Sequence, residues 1–434
     1  MPVFTSSIEV TADYPTIKPS LNLNFARSRS LDPRITFTRA STATYVGRDG
    51  LIKTAGVDEA RFDHDPETLE SLGLLIEESR TNTQTNSQPQ SGSFTGGGAV
   101  LTYNTSTAPN GETEACRIAR NGTNSSRSNW LATRSITFNA NTMVLSCWAK
   151  PQNGNNYFVW SFQNLGGAIV RAGFLLTGDG GTSIITNGNG GHTLQIEKYP
   201  DGWYRCIIIG NTQSSGTTTQ FLYTAAGYDE DASAIGGSTL VWGFQLEAGA
   251  FPTSYIPTSG SSVTRASDRA RITGTSFSDF FNTTEGTLVV QGRTSAGNSL
   301  NYTNQPIISI HNGSTTNRII MFDRDDGTLE WNVIDGSSAN GSGPLLLETT
   351  SYSGAADYIM CGTYKNGAPT KAVANGIGAN GTTIESSGKN DTVNIFNQMD
   401  IGNELGTRQG SSPIKQVRYY PLSLSDAQIK TLVQ

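Results

Sequence analysis

Over many short stretches of this chain apolar and polar side chains change places at every second residue. That period fits strands with one buried face and does not fit an amphipathic helix. In WGFQLEA, Trp242, Phe244 and Leu246 alternate with Gly243, Gln245 and Glu247, so the three apolar residues are expected on one face of a strand. TLVVQ and TLEWNVI repeat the pattern nearer the C-terminus. Turn pairs such as Asp179-Gly180 and Asn187-Gly188 separate the stretches, which favours antiparallel sandwiches over βαβ units. Composition agrees, because 48 of the 434 residues are Gly and little remains to build long helices.

A four-residue repeat divides the chain. TRAS occurs at Thr38 to Ser41 and again at Thr264 to Ser267, each time at the entrance to a long strand-rich region. The expected organisation is an irregular N-terminal region over 1–91, a β-sandwich over 92–257, an exposed linker over 258–267 and a second β-sandwich over 268–434. In the N-terminal region Pro2, Pro15 and Pro19 suit an extended segment lying on a neighbouring protein. Asp65 before Pro66 is placed to cap a short helix with Leu69 and Leu72 on one side. Glu77 and Glu78 follow an apolar strand and read as its solvated end. Their side chains point to opposite faces and share no site. In PLSLSDAQIKTLVQ, Ser425 with Gln428 forms a capping box, and Leu424 can staple against Ile429. A short helix from Asp426 to about Leu432 follows.

The remaining features exclude more than they assign. A net charge of -6 and the lack of a basic cluster argue against nucleic acid as a partner. Cys116, Cys147, Cys206 and Cys361 never form CxxC, so they read as buried thiols, with one disulfide as the rival. The opening residues lack a basic region followed by an apolar core, so no secretory signal is expected, and no apolar run is long enough for membrane insertion by a helix. Counted from Asp323, an EF-hand would place Thr328 where Gly is needed and Ile334 where a carboxylate is needed, so no calcium loop is read there. His64, His192 and His311 stand apart from one another, and no GxSxG or HExxH motif is present. The reading therefore assigns no catalytic residue, no metal ligand and no cofactor, and the expectation is a protein that is not an enzyme. A glycosidase carboxylate pair hidden among the 36 acidic residues is the enzymatic alternative.

Aromatic residues in a background of amides and hydroxyls point to glycan binding, because a ring face complements the CH patches of a sugar. The middle region offers Trp130, Trp148, Tyr157, Trp160, Trp203, Tyr204 and Trp242. Trp242 belongs to the core and Trp148 lies outside the main core by alternation. Trp130, in a polar loop, and Trp203, after a turn, are the ligand-binding candidates. Asn129 and Arg205 are their polar neighbours.

Three phrases carry a resemblance: LDPRITFTRASTATYVGRDG, DHDPETLESLGLLIEESRTN and WGFQLEAGAFPTSYIPTSGSSVTRASD. They resemble a module set recurrent in structural proteins of tailed bacteriophages, commonly tail-fibre or other virion-surface proteins. The ending VRYYPLSLSDAQIKTLVQ is similar to the close of a concanavalin-like, laminin-G-like lectin domain in the same proteins. The resemblance covers about three quarters of the chain. It implies an all-β fold with two sandwiches, the first like a jelly-roll carbohydrate-binding module, and a place on the virion surface after synthesis in the host cytoplasm. It also implies a homo-oligomer, a trimer being favoured, anchored to other virion proteins through the N-terminal region. Host attachment would proceed by receptor binding to surface polysaccharide or lipopolysaccharide. The alternatives are a purely structural joint or head fibre and a polysaccharide-degrading tailspike.

Overall fold

The computed structural model describes residues 13–28, 30–94, 99–120, 132–138, 141–163, 169–187, 191–212, 216–228, 237–294, 304–335, 345–347, 355–376, 379–381, 383–391, 396–406 and 408–434. The chain is all-β and forms two compact units. One is built on Thr38–Asp268, the other on the described residues up to Phe37 together with those from Arg269 to Gln434.

In the first unit the larger sheet has six antiparallel strands in the order His192–Lys198, Tyr204–Thr212, Asn141–Gln152, Ser238–Ala248, Thr113–Arg120 and Ala99–Thr107. The smaller sheet has five, in the order Ala132–Phe138, Gly216–Ala225, Tyr157–Gln163, Ile169–Leu175 and Gly181–Asn187. The strand-rich sandwich expected over 92–257 is present. Gly181–Asn187 is an edge strand with no fully buried face, so its sequence carries no alternation to read. Apolar residues of both sheets, among them Leu145, Cys147, Phe158, Trp160, Phe174, Ile208 and Leu246, make the main core.

A second core covers the opposite face of the larger sheet. Trp148, Tyr199, Trp203, Leu240, Trp242 and Tyr255 pack there with Val46 and Ile52, which come from the hairpin Ala43–Val46 and Ile52–Ala55. The expectation that Trp242, Phe244 and Leu246 share a face is corrected. Register shifts between Ser146 and Trp148, where Cys147 opposes the extra residues Gly243 and Phe244 of the neighbouring strand. Gly243 sits at φ +68, and this bulge turns Trp242 into the second core while Phe244 and Leu246 stay in the first.

Residues 38–91 are therefore part of the first unit and do not form a separate region. Nor is 258–267 an exposed linker throughout. Val263–Arg265 pairs antiparallel with Arg80–Asn82, and the Thr258 N–H donates to Ser87 Oγ at 2.8 Å. Asp65 Oδ1 does accept the N–H groups of Glu67 and Thr68, each at 3.0 Å, but the segment closes as a turn with Leu69 at positive φ and forms no helix.

In the second unit Glu285–Arg293 lies between Asp357–Lys365 and Ser412–Tyr420. Leu21–Asn24 adds to the outer side of Ser412–Tyr420 and buries Leu21 and Leu23. A second sheet runs Arg269–Thr273, Gln398–Ile401, Gln305–His311, Asn317–Asp323, Leu329–Asp335 and Leu345–Leu347. The sheets meet where the Trp331 Nε1–H donates to Thr370 Oγ1 at 2.6 Å and its ring occupies the space that a side chain on Gly362 would need. The helix Asp426–Leu432 has the expected capping box of Ser425 and Gln428, and it lays Ile429 and Leu432 on Val289, Cys361 and Val373.

Gly243 generates a prediction. A Cβ there would lie 2.6 Å from Trp148 Cε3 and would sit at a positive φ. Gly243→Ala should lower the unfolding free energy by about 2–4 kcal/mol. Gly178→Ala, also at positive φ but with nothing within 4 Å, should cost about 1 kcal/mol. Urea unfolding of the two variants checks the difference.

Candidate functional site

Of the sequence-selected binding residues, the two that are described, Trp203 and Arg205, are both buried. Asn129 and Trp130 lie outside the described residues. Trp203 is 3% exposed and belongs to the second core, so the expectation of a solvent-facing ring is corrected. Arg205 is 5% exposed, with its guanidinium 4.8 Å from the centre of the Trp148 ring. It donates to Ser146 Oγ at 3.2 Å and to the Thr253 carbonyl at 2.7 Å. Trp203, just before the strand Tyr204–Thr212, and Arg205 within it both pack against the Trp148 side of the sheet. Residues 43–55 and 249–258 cover that face, which adjacency in sequence cannot show. Trp148, Trp160, Trp242 and Trp331 are also interior, so every tryptophan among the described residues is a packing residue.

The half-buried aromatic residues of the smaller sheet give a different surface. Phe158, Trp160 and Phe162 point to one face of this strand, and by alternation Tyr157 points to the other, where it is half-buried and packed against the main core. Tyr228 packs edge-on against it with ring centres 5.0 Å apart. Tyr228 rests on glycine. A Cβ on Gly173 would come 3.0 Å from Tyr228 Cδ1, and a Cβ on Gly181 would come 2.5 Å from its hydroxyl. Gly173 pairs with Ser183, and Arg171 stands two residues along the same strand face, half-buried like Ser183. Tyr157 stood among the aromatic candidates. Tyr228 did not, although a glycine inside a strand is a sign of close approach by another group.

The densest chemistry in the first unit is a buried ion network. Arg39 Nη1 donates to Asp268 Oδ1 at 3.0 Å, and Arg61 pairs with both Asp268 and Glu77, the latter at 2.6 Å. Arg265 lies 2.8 Å from Glu77 Oε2. The two TRAS arginines thus enter one network. Ser254 donates to Glu77 through its N–H at 2.7 Å and its hydroxyl at 2.6 Å, and Thr253 donates to Glu247 through its hydroxyl at 2.6 Å. The reading of Glu77 as a solvated strand end is corrected, since it is 4% exposed. Burial alone would raise its pKa, but the guanidinium groups of Arg265 and Arg61 and the Ser254 bonds hold it down at about 2. Nearby Asp63 accepts the Val46 N–H at 2.7 Å, and burial pushes its carboxyl up to about 7.

Proton-transfer chemistry finds little support at the histidines. His311 is buried beside Asp400, with Nε2 at 3.2 Å from Oδ2, and Arg271 grips the same carboxylate. Its Nδ1 faces the Gly313 N–H at 3.0 Å and the Gln398 amide at 2.9 Å, so Nδ1 accepts and the proton sits on Nε2. Neither ring nitrogen is left to act as a base. His192 Nδ1 is 3.2 Å from Asn187 Oδ1, and burial lowers its pKa. His64 lies 3.2 Å from the Val46 carbonyl. In the acidic turn Asp326 accepts from Thr328 and pairs with Arg324, and among the described residues no group of His, Cys, Asp or Glu is arranged to hold a metal ion.

No protein-family model matches the sequence, and no curated protein matches it. Several solved structures are similar in part. The Ruminococcus gnavus IT-sialidase CBM40 is 15% identical with a TM-score of 0.29, over 35% of this chain and 84% of that chain. The botulinum neurotoxin serotype G binding domain is 12% identical with a TM-score of 0.29, over 38% of this chain and 40% of that one. A Trypanosoma rangeli sialidase is 11% identical with a TM-score of 0.28, over 70% of this chain and 54% of that one. These likenesses are too distant to carry a residue or an activity across.

The ion network generates a pH prediction. The folded pKa of Glu77 is depressed, so its stabilisation is present above about pH 4.5 and is lost as pH falls toward 2, an effect of about 3 kcal/mol. The folded pKa of Asp63 is raised, so its contribution is present at low pH and is lost as pH rises through about 7. Glu77→Gln should cost about 3–5 kcal/mol at neutral pH and flatten the acid limb of a stability profile. Asp63→Asn should remove the loss of stability that Asp63 causes as pH rises from about 4 to about 7. Denaturant unfolding across pH 2 to 9 measures both, and an unaltered acid limb in Glu77→Gln would show that the network is not its source.

Proposed function

We propose that the protein is a non-enzymatic virion-surface component of a tailed bacteriophage, most simply a tail fibre or similar appendage, and that its first unit holds host-surface glycan. The observation that carries glycan recognition is the Tyr157–Tyr228 pair, two half-buried rings with centres 5.0 Å apart, of which Tyr228 rests on Gly173 and Gly181. A ring fixed before binding loses little freedom when a sugar stacks on it, and Arg171 and Ser183 supply polar groups on the same face. The phage assignment rests on the three sequence phrases and the C-terminal ending. In this reading the chain works as a homo-oligomer, a trimer being favoured, with the N-terminal region as anchor to other virion proteins. Host polysaccharide or lipopolysaccharide is the ligand.

A second reading, a structural joint or head fibre without glycan binding, draws on the burial of every described tryptophan. Tyr157→Ala and Tyr228→Ala separate the two. Each should weaken retention on host envelope polysaccharide roughly five- to hundredfold, the loss of about 1–3 kcal/mol for a stacked ring, with the unfolding midpoint little changed. Equal retention by both variants removes this site. Failure of the unmodified oligomer to bind any host glycan, with antibody label on the capsid lattice of intact particles, moves the assignment to the joint. Release of reducing ends from the polysaccharide would show a tailspike enzyme instead.

A further inference from the structure

Cys147 and Cys206 stand directly opposite each other on neighbouring strands of the larger sheet, and both side chains are fully buried in the main core. The kind of pairing follows from two backbone bonds. The Gly249 N–H donates to the Thr142 carbonyl at 2.9 Å, so residues 142, 144 and 146 direct their peptide groups toward Ser238–Ala248, and 143, 145 and 147 direct theirs toward Tyr204–Thr212. The Tyr199 N–H donates to the Trp203 carbonyl at 2.8 Å, so Arg205 faces His192–Lys198 and Cys206 faces back toward Cys147. The two cysteines are therefore a hydrogen-bonded pair, whose Cα atoms lie about 5.5 Å apart. That separation falls inside the range a disulfide spans. Cys116 shares the core but lies on Thr113–Arg120, beyond the intervening strand Ser238–Ala248 and so about 10 Å from the strand of Cys147. Cys361 belongs to the other unit.

We propose that Cys147 and Cys206 are a redox couple that closes to a cross-strand disulfide by exchange with a disulfide donor as Asn141–Gln152 and Tyr204–Thr212 pair and before the core closes over them, and that folding then shields whichever state was set. In the exchange one cysteine thiolate attacks the donor disulfide, forming a mixed disulfide and releasing one donor thiol. The second thiolate attacks the first cysteine's sulfur, the bond to the donor breaks, and the second donor thiol leaves. The protein loses two protons and two electrons, and the donor disulfide becomes two thiols. Shielding has a physical cause: burial raises the pKa of both thiols well above the usual value, so the folded protein presents no thiolate to attack a donor. The same burial keeps reducing thiols from the bond, so it is reduced only when the sheet opens.

The test uses the full chain, unfolded in guanidinium chloride and refolded in a glutathione and glutathione disulfide buffer. Remaining thiols are then alkylated and the peptides mapped by mass spectrometry. The expected result is a Cys147–Cys206 link with Cys116 and Cys361 alkylated. Four alkylated cysteines, or a link through Cys116 or Cys361, overturns the pairing. Folded, reduced protein in the same buffer should remain unlinked, and rapid linkage there overturns the shielding. The oxidised form should melt higher than the reduced form by about 5–15 °C, since the bond closes a long loop. A link without such a rise overturns the clamp, and Cys206→Ala should show neither link nor oxidant-dependent shift while Cys116→Ala keeps both.

Discussion

The first unit depends on a set of charges withdrawn from water. Arg39, Arg61 and Arg265 face Asp268 and Glu77, with Glu247 close by, and none of these side chains could be buried alone at tolerable cost. Their partners come from the two ends of the unit, from Arg39 to Glu77 and from Glu247 to Asp268, so the network is complete only when both segments have arrived in place. Arg61 stands between Asp268 and Glu77, and its charge is favoured beyond the usual despite burial. Arg265 has its pKa lowered by burial, with Glu77 opposing and Arg61 adding to the effect. Such a network contributes little net stability compared with an apolar core of the same volume. It discriminates strongly, because any misplaced segment leaves an ion without its counterion.

Around it the larger sheet is buried on both faces, which a strand with strict alternation of apolar and polar residues could not satisfy. The bulge at Gly243 resolves this by changing which residues of Ser238–Ala248 point each way, so that Leu240 and Trp242 serve one core while Val241, Phe244 and Leu246 serve the other. Glycine has a second use that recurs in both units. Flat rings lie where a side chain is missing, Trp148 against Gly243, Trp331 against Gly362 and Tyr228 against Gly173. The high glycine content thus reflects ring packing as well as turns.

What could be read from sequence was what is decided locally. The helix Asp426–Leu432 and its capping box follow from neighbouring residues, and the strands of both sandwiches follow from a period of two. The misreadings of Trp203 and Glu77 involve distant partners. Trp203 adjoins a turn, where a surface ring is expected, yet Val46 and Ile52, far earlier in the chain, cover it. Glu77 looked like a strand end because Arg265 is far away in sequence. Trp242 was assigned the wrong face because one glycine at positive φ is silent in an alternation count. The phrases that carried the phage resemblance contain Arg39, Glu77, Ser254, Arg265 and Asp268, so they mark the internal network, and this is why they identify a scaffold and say little about a ligand.

Arg39 and Asp268 are separated by 229 residues, and Arg39 lies near the start of the unit while Asp268 closes it. During synthesis at roughly 5–20 residues per second, the arginine waits about 10–45 s for its carboxylate. Through that interval every apolar strand of the sandwich has been made, while the charges that fix its covering segments are unmatched. A chain released early, or cut before Asp268, would retain most of its core-forming sequence and still carry Arg39 and Arg61 without their shared counterion. The position of this acid therefore makes closure of the network depend on the whole unit from Arg39 to Asp268 having been made.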